Sequence, residues 1–288
     1  MTATQVTSPP PTTPDLRQLL VREFRKHWRM YLIWMQDALA YRATALIWIM
    51  TDTIPLLIMP LLWLAAYQDN GHHEIAGFGP SQLTAYYLVL LGVTNLVQCH
   101  QMWEMATDIK EGRLSAYLLR PFSYCTMNYL SFLAWRLMRT VLFLPVFAVA
   151  AFLFRHSLDW SVYYYGPEFW AAILLGHCVS FFITYAFGLT ALYFVETRSL
   201  FNFWYLPMTL FSGQFAPLAM FPPAMRRVAD FLPYRYTVAL PTEIFLGKLS
   251  STEMRYGLMI QVAWIAGAYL MGSLLWREGL KRFTGAGL

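Results

Sequence analysis

The sequence predicts an all-α integral membrane protein with six transmembrane helices. Of its 288 residues, 58% are hydrophobic and only 13% are charged, and the mean hydropathy is +0.42. Soluble domains usually carry about 25% charged residues. Several apolar runs also reach the roughly 20 residues that a helix needs to cross a hydrocarbon layer about 30 Å thick. The chain therefore uses most of its length on membrane spans rather than on a large soluble domain.

The N-terminal region is expected to stay on the membrane surface. Residues 1–15 are rich in Thr and Pro and have neither the basic nor the apolar part of a signal peptide, so we expect a disordered tail. Residues 16–41 carry apolar side chains at helical spacing, with Arg and Lys between them, which favours an interfacial amphipathic helix and a connector. A soluble surface helix is the alternative.

Six apolar segments follow, rich in aliphatic and aromatic residues. We predict spans at about residues 43–66, 83–103, 137–154, 169–195, 201–220 and 256–276. The transmembrane domain then covers residues 42–276, and residues 277–288 form a basic tail. An even number of spans places both termini on one side of the membrane.

The basic residues orient these spans. Fifteen of the 21 lysine and arginine residues precede the first span, follow the sixth, or lie between spans two and three or four and five, when Arg139, at the start of span three, is counted with the loop before it. Because Lys and Arg accumulate on the cytoplasmic side, both termini are predicted to be cytoplasmic, in the inner membrane. The net charge of +5 reflects this distribution, so we expect a lipid bilayer and no nucleic acid as partner.

The segment at residues 217–253 is too apolar for a free aqueous loop. Prolines recur among aromatic and aliphatic side chains, which favours short helices dipping back into the outer leaflet between the fifth and sixth spans. Four residues mark the breaks of these re-entrant helices: Gly213, Pro217, Pro222 and Pro233.

Three polar residues inside predicted spans are candidates for a substrate path. Asp52 lies near the middle of the first span, where a charge is costly and usually faces a partner or a cavity. It either lines the path or forms a structural hydrogen bond across a subunit interface. His177 and Gln214 are weaker candidates, for which a packing contact is the alternative.

The sequence offers no catalytic or metal-binding constellation. His72, His73 and Glu74 are adjacent, but no second histidine follows at zinc-protease spacing. A Gly-rich phosphate loop ending in Gly-Lys-Ser/Thr does not occur, and the three cysteines lack ligand spacing. We therefore predict no catalytic residue, no metal and no cofactor in this chain.

The predicted cytoplasmic loop between spans two and three carries the most specific pattern. A charged helix broken at Gly112 leads into an apolar turn that ends at Pro121. This loop resembles that of the permeases of the second class of ABC exporters, where an acidic-Gly-Arg-Leu segment precedes Leu-Leu-Arg-Pro. The outer segment is also similar, through Ser212 to Pro217 and the sequence Leu232, Pro233, Tyr234.

The resemblance implies a permease subunit of an ATP-driven exporter. Two such subunits, identical or related, would carry two cytoplasmic ATPase subunits, which bind ATP and Mg²⁺ and perform the hydrolysis. The substrate would be amphipathic, lipid-like or drug-like. The coupling loop implied by the resemblance consists of Glu104, Asp108, Lys110, Glu111, Gly112, Arg113, Leu114, Leu118, Leu119 and Arg120.

Two other classes of function remain open. A membrane-embedded lipid-modifying enzyme would use Asp52 or the pair His72 and His73, but it lacks a matched acid and base. An ion-coupled secondary transporter would favour inverted repeats and several charges at the midplane. The exporter needs a co-purifying ATPase, whereas the enzyme or the secondary transporter should function without one.

Overall fold

The computed structural model describes residues 15–70, 74–157, 162–194 and 196–283. Within these ranges the chain is helical, apart from turns and one isolated bridge between Ile75 and Phe78. The α-helices are α1 Leu16–Ala40, α2 Arg42–Asn70, α3 Pro80–Val97, α4 Met102–Lys110, α5 Leu114–Leu118, α6 Tyr124–Leu153, α7 Pro167–Leu189, α8 Arg198–Phe211, α9 Pro223–Phe231, α10 Leu240–Phe245 and α11 Ser251–Leu280. The predicted tail at residues 1–15 falls almost entirely outside the described residues, as does the end of the basic tail after 283.

Four of the described helices are long and apolar enough to cross a membrane: Arg42–Tyr67, Tyr124–Leu153, Pro167–Leu192 and Ser251–Leu280. The predicted second and fifth spans correspond to α3 and α8, with 18 and 14 residues. At 1.5 Å per residue these helices are only about 27 and about 21 Å long. α3 stops at Val97 and α8 stops at Phe211, before the predicted ends of these two spans at residues 103 and 220.

Helix α6 begins at Tyr124, well before the predicted start of the third span at residue 137. Ser123 caps it by accepting a hydrogen bond of 3.0 Å from the Thr126 backbone nitrogen. As a result Arg136 and Arg139 lie inside the helix and are buried, although the charge count had placed them in a loop. Most of the basic residues assigned to the cytoplasmic side are unaffected by this correction.

Helix α7 is the central element. In its most apolar stretch 72% of the residues are buried, against 17% in α11, which covers one side of it. α3, α4 and α10 pack on its other sides. Gly176 on α7 leaves room for the Thr237 carbonyl oxygen, which a β-carbon there would meet at 2.7 Å. Movement of α7 must therefore affect α3, α4, α10 and α11.

Helices α4 and α5 are called here the hairpin. They lie at one end of the bundle, together with both ends of the described chain. The His27 ring of α1 meets Phe122 edge-on at 5.3 Å, just after the hairpin. Phe283, after α11, packs with hairpin residues Ile109 and Leu114 in one core cluster. Several apolar side chains of α1, such as Phe24, are exposed, whereas Met30 and Ala38 are buried.

The opposite end is closed by the connection between α8 and α11. Gly213 has φ of 83° and lies so close to Tyr86 that a β-carbon would clash with its hydroxyl. The Tyr86 hydroxyl donates to the Gly213 carbonyl at 2.8 Å, and Pro217 and Pro222 directly precede a short 3-10 helix, Leu218–Met220, and α9. Pro233 precedes a π-helical turn, Arg235–Ala239, that leads into α10.

Buried polar contacts bind this connection to the bundle. Gln261 of α11 is fully buried and donates to the carbonyls of Ala172 at 2.9 Å and Tyr236 at 2.7 Å. The backbone nitrogen of Tyr164 also donates to the Phe245 carbonyl at 2.8 Å. Because these bonds satisfy backbone groups of an irregular segment, the connection packs as part of the core.

Candidate functional site

The hairpin is a sharp reversal held by one glycine and one arginine. Gly112 has φ of 75°, which L side chains rarely adopt, so the helix–glycine–helix pattern predicted from the sequence is present. The Arg113 guanidinium binds both flanking carboxylates, with Nε 2.8 Å from Asp108 Oδ1 and Nη1 2.6 Å from Glu111 Oε2. These exposed ion pairs define the turn geometry more than they stabilise it.

One face of the hairpin is anchored in the protein. Met105, Ile109 and Leu114 are buried and pack with Leu189, at the end of α7, and with Tyr124, at the start of α6. Leu114, which the resemblance places in the coupling loop, is fully buried and belongs to this internal cluster. The hairpin is therefore fixed to two long helices.

The other face of the hairpin is exposed. Leu119 is 89% exposed and Leu118 is 45% exposed, and Lys110 and Arg120 are exposed beside them. Burying a leucine side chain is worth roughly 1.5 to 3 kcal/mol. Two exposed leucines next to charged side chains are a pattern typical of a surface that contacts another protein.

A second polar site lies inside the bundle, around Asp52. The Asp52 carboxylate on α2 forms a 2.6 Å ion pair with Arg139 Nη2 on α6. The Arg139 side chain is 9% exposed, whereas Asp52 keeps 28% of its surface accessible. Asp52 thus has its counter-charge within the same chain, and it also lines a cavity.

This cavity, of about 280 Å³, lies between α2, the end of α3 and α8. Asp52, His100, Tyr205 and Gln214 all line it. Trp103 Nε1 donates to the Tyr205 hydroxyl at 2.9 Å, and the same hydroxyl is hydrogen-bonded to His100 Nδ1 at 2.5 Å. Gln214 Nε2 is enclosed by protein and has no hydrogen-bond partner among the described residues.

The break between α3 and α4 lies at the same level. Arg136 is 7% exposed, donates to the Gln98 carbonyl and places its guanidinium 4.7 Å from the centre of the Phe132 ring. Among the described residues no carboxylate forms an ion pair with it. Arg136 thus binds a backbone carbonyl that the break leaves without a helical partner.

The structure brings Asp52 and Gln214 together but places His177 elsewhere. His177 packs on the Phe132 ring at 5.3 Å, and its Nδ1 is 3.2 Å from the Leu96 carbonyl, between α3 and α7. His72 and His73 lie outside the described residues, and within the described ranges no group of His, Cys, Asp and Glu could hold a metal ion. Sequence reasoning missed Arg139, His100 and Tyr205 as members of the polar site.

These features define a multi-pass helical membrane protein with a polar site inside the bundle and an exposed hairpin at one end. A family model described as ABC-2 family transporter protein matches residues 53–287, from just after Asp52 through the hairpin and α11. The chain therefore belongs to the ABC-2 transporter family, whose membrane proteins associate with ABC ATPases in general. A comparison with curated proteins found no match.

Proposed function

We propose that this chain is the permease subunit of an ATP-driven exporter. It acts with a second permease subunit and with separate cytoplasmic ATPase subunits, which bind ATP and Mg²⁺. The observation that carries the proposal is the hairpin, whose exposed Leu118 and Leu119 stand opposite its buried Ile109 and Leu114. Such a two-faced element suits a rigid contact with a partner that moves.

Force from the ATPase would reach the bundle through two routes. α4 packs against the end of α7, and Tyr117 of α5 stacks edge-on against Tyr124 of α6 at 5.6 Å. A displacement of the hairpin therefore moves α6 and α7 as near-rigid bodies. Since α7 is the central helix, the movement reaches the other spans.

The proposed topology has six spans, with α3 and α8 as the second and fifth. The hairpin end faces the cytoplasm of a cell bounded by an inner membrane, and α9 and α10 form the re-entrant segment at the outer side. This orientation is supported by the basic residues of α1 and of the end of α11, which share the hairpin end.

The substrate path is proposed to include Asp52 and Gln214. Both line the cavity between α2, α3 and α8, and the cavity has polar and apolar walls suited to an amphipathic, lipid-like or drug-like molecule. The second permease subunit would contact the exposed apolar face of α2, where Ile47, Ile54 and Leu61 protrude.

Co-purification with the ATPase tests the proposal. The double variant Glu111→Ala with Arg113→Ala removes both charges of the hairpin turn. Charged hydrogen bonds contribute about 1.5 to 3 kcal/mol, so we expect weaker ATPase association or hydrolysis uncoupled from export. The matched control is Glu278→Ala with Lys281→Ala, an exposed pair at 2.7 Å that joins the last turn of α11 to the residue after it. Wild-type co-purification and export by the hairpin variant would contradict the proposal.

A further inference from the structure

A large cleft opens at the hairpin end between α1, α4 and α6. Its volume is about 620 Å³, and it is distinct from the cavity at Asp52. Five aromatic side chains contribute to its wall: Trp34, Tyr41, Trp103, Tyr117 and Trp135. Aromatic faces carry negative electrostatic potential and attract organic cations within about 6 Å of the ring centre.

The charges in the cleft are mainly negative. Asp37, Glu104 and Asp108 line it, and Arg113 is the basic residue among its lining side chains. Arg113 is engaged by Asp108 at 2.8 Å and by Glu111 at 2.6 Å. Within the described part of the chain, Asp37 and Glu104 have no ion-pair partner, so the cleft carries excess negative charge.

A buried amide adds an independent sign of a ligand. Asn128 Nδ2 donates to the Tyr124 carbonyl at 2.9 Å, which leaves Asn128 Oδ1 to accept from Gln101 Nε2 at 3.1 Å. This chain of bonds fixes the orientation of Gln101, which lines the cleft and is only 6% exposed. Its Oε1 accepts no hydrogen bond from the described residues and is available to an N–H donor.

We infer that this cleft binds the protonated amine of an amphipathic molecule. The carboxylates of Asp37 and Glu104 supply the counter-charge, Gln101 Oε1 accepts an N–H, and the aromatic wall packs on the apolar body of the ligand. Calling this amine a substrate rests on the proposed exporter function, whereas its binding does not.

The position of the cleft fits an entry site. On α6, Trp135 lies one turn before Arg139, and on α2, Thr44 lies about two turns before Asp52. The cleft is thus on the hairpin side of the Asp52–Arg139 ion pair, with the cavity of Gln214 beyond it. A molecule entering from the hairpin end meets the acidic cleft first.

Binding of quinacrine, a fluorescent amphipathic amine, tests the inference with the full-length protein in phosphatidylcholine nanodiscs. Asp37→Asn with Glu104→Gln should lower the affinity by roughly tenfold or more, because both counter-charges are lost. Arg113→Gln should raise the affinity several-fold, a gain that misfolding cannot produce. Glu278→Gln, which removes a carboxylate on α11, should leave it unchanged.

Binding of the anionic fluorophore 1-anilinonaphthalene-8-sulfonate should change in the opposite direction to quinacrine binding. We expect it to bind the double variant more tightly than the wild type. Equal quinacrine affinity in the wild type, the double variant and Arg113→Gln would overturn the inference. ATPase co-purification is measured on the same variants. A complex that assembles normally but binds no quinacrine contradicts the amine site and leaves the exporter proposal standing.

Discussion

Arg139 on α6 and Asp52 on α2 form a 2.6 Å ion pair that links two helices far apart in the sequence. Both helices are long enough to span a membrane. Breaking one half of a buried ion pair leaves an uncompensated charge, which is more costly than the pair is favourable. The pair therefore ties α2 to α6 beside the proposed path.

We expect Asp52→Leu to destabilise the protein by about 2 to 3 kcal/mol, below the 3 to 5 kcal/mol of a fully buried pair because Asp52 remains partly exposed. Thermal or denaturant unfolding of the purified protein measures this change. Asp52→Leu with Arg139→Leu should recover most of the loss, because no charge is left unpaired. Additive losses in the double variant would show that the two side chains do not act as a pair.

Gly112→Ala is expected to weaken ATPase co-purification, because a β-carbon at φ of 75° costs about 1 kcal/mol or more and distorts the hairpin turn. Gly247→Ala is the matched control, since Gly247 has φ of 64° at the opposite end of the bundle. Both variants should lose similar stability. Equal ATPase recovery from the two variants would show that the hairpin turn is not needed for ATPase association.

The leucines of the hairpin should divide into two classes. Leu114→Ala removes a fully buried side chain and should lower the free energy of unfolding by about 2 to 5 kcal/mol. Leu119→Ser changes a side chain that is 89% exposed, so it should leave unfolding unchanged and reduce ATPase association. A stable Leu119→Ser protein with full ATPase recovery would contradict a role of this face in partner contact.

Orientation is tested by single cysteines at the two ends, in a background where Cys99, Cys125 and Cys178 are replaced by alanine. Leu119→Cys and Phe231→Cys place thiols at positions 89% and 81% exposed. We expect a membrane-impermeant maleimide to label Phe231→Cys in intact cells and Leu119→Cys only after lysis. The reverse pattern would invert the proposed topology.

Cation binding in the cleft should depend on pH through Glu104. Burial of its carboxyl group in the cleft, together with Asp108 and Asp37, raises the pKa of Glu104 to about 7, although part of the side chain is exposed. Glu104 is mostly neutral at pH 6 and mostly ionised at pH 8. The affinity for tetraphenylphosphonium, a permanent cation, should therefore rise several-fold between these values.

The other groups facing Glu104 limit this pH effect. Asp37 and Tyr41 face it from the end of α1 and the residue after it, Asp108 from α4, and Arg113 and Tyr117 from the turn and α5. Burial raises the pKa of Tyr117 to about 12, outside the range measured. The α6 lining, which includes Asn128 and Trp135, contains no titratable group. Glu104→Gln should abolish the rise, and an unchanged rise would assign it to another group.

The amino-acid sequence alone determined the class of this protein and some of the positions at which its helices begin and end. Apolar runs of about 20 residues predict membrane-spanning helices, and Gly112 and Pro121 bound the second half of the hairpin whatever surrounds them. These features are local, because hydropathy and backbone freedom belong to single segments. The amphipathic pattern of α1 was likewise readable before any contact was known.

Only the tertiary structure decided which polar residues meet. Asp52 finds Arg139, and Gln101 finds Asn128, across separations that no periodicity encodes. The charge count assigned Arg136 and Arg139 to a loop because nothing local distinguishes a loop arginine from one that a distant carboxylate or carbonyl stabilises inside a helix. Burial of a charge is decided by its partners, and those partners come together only when the helices pack.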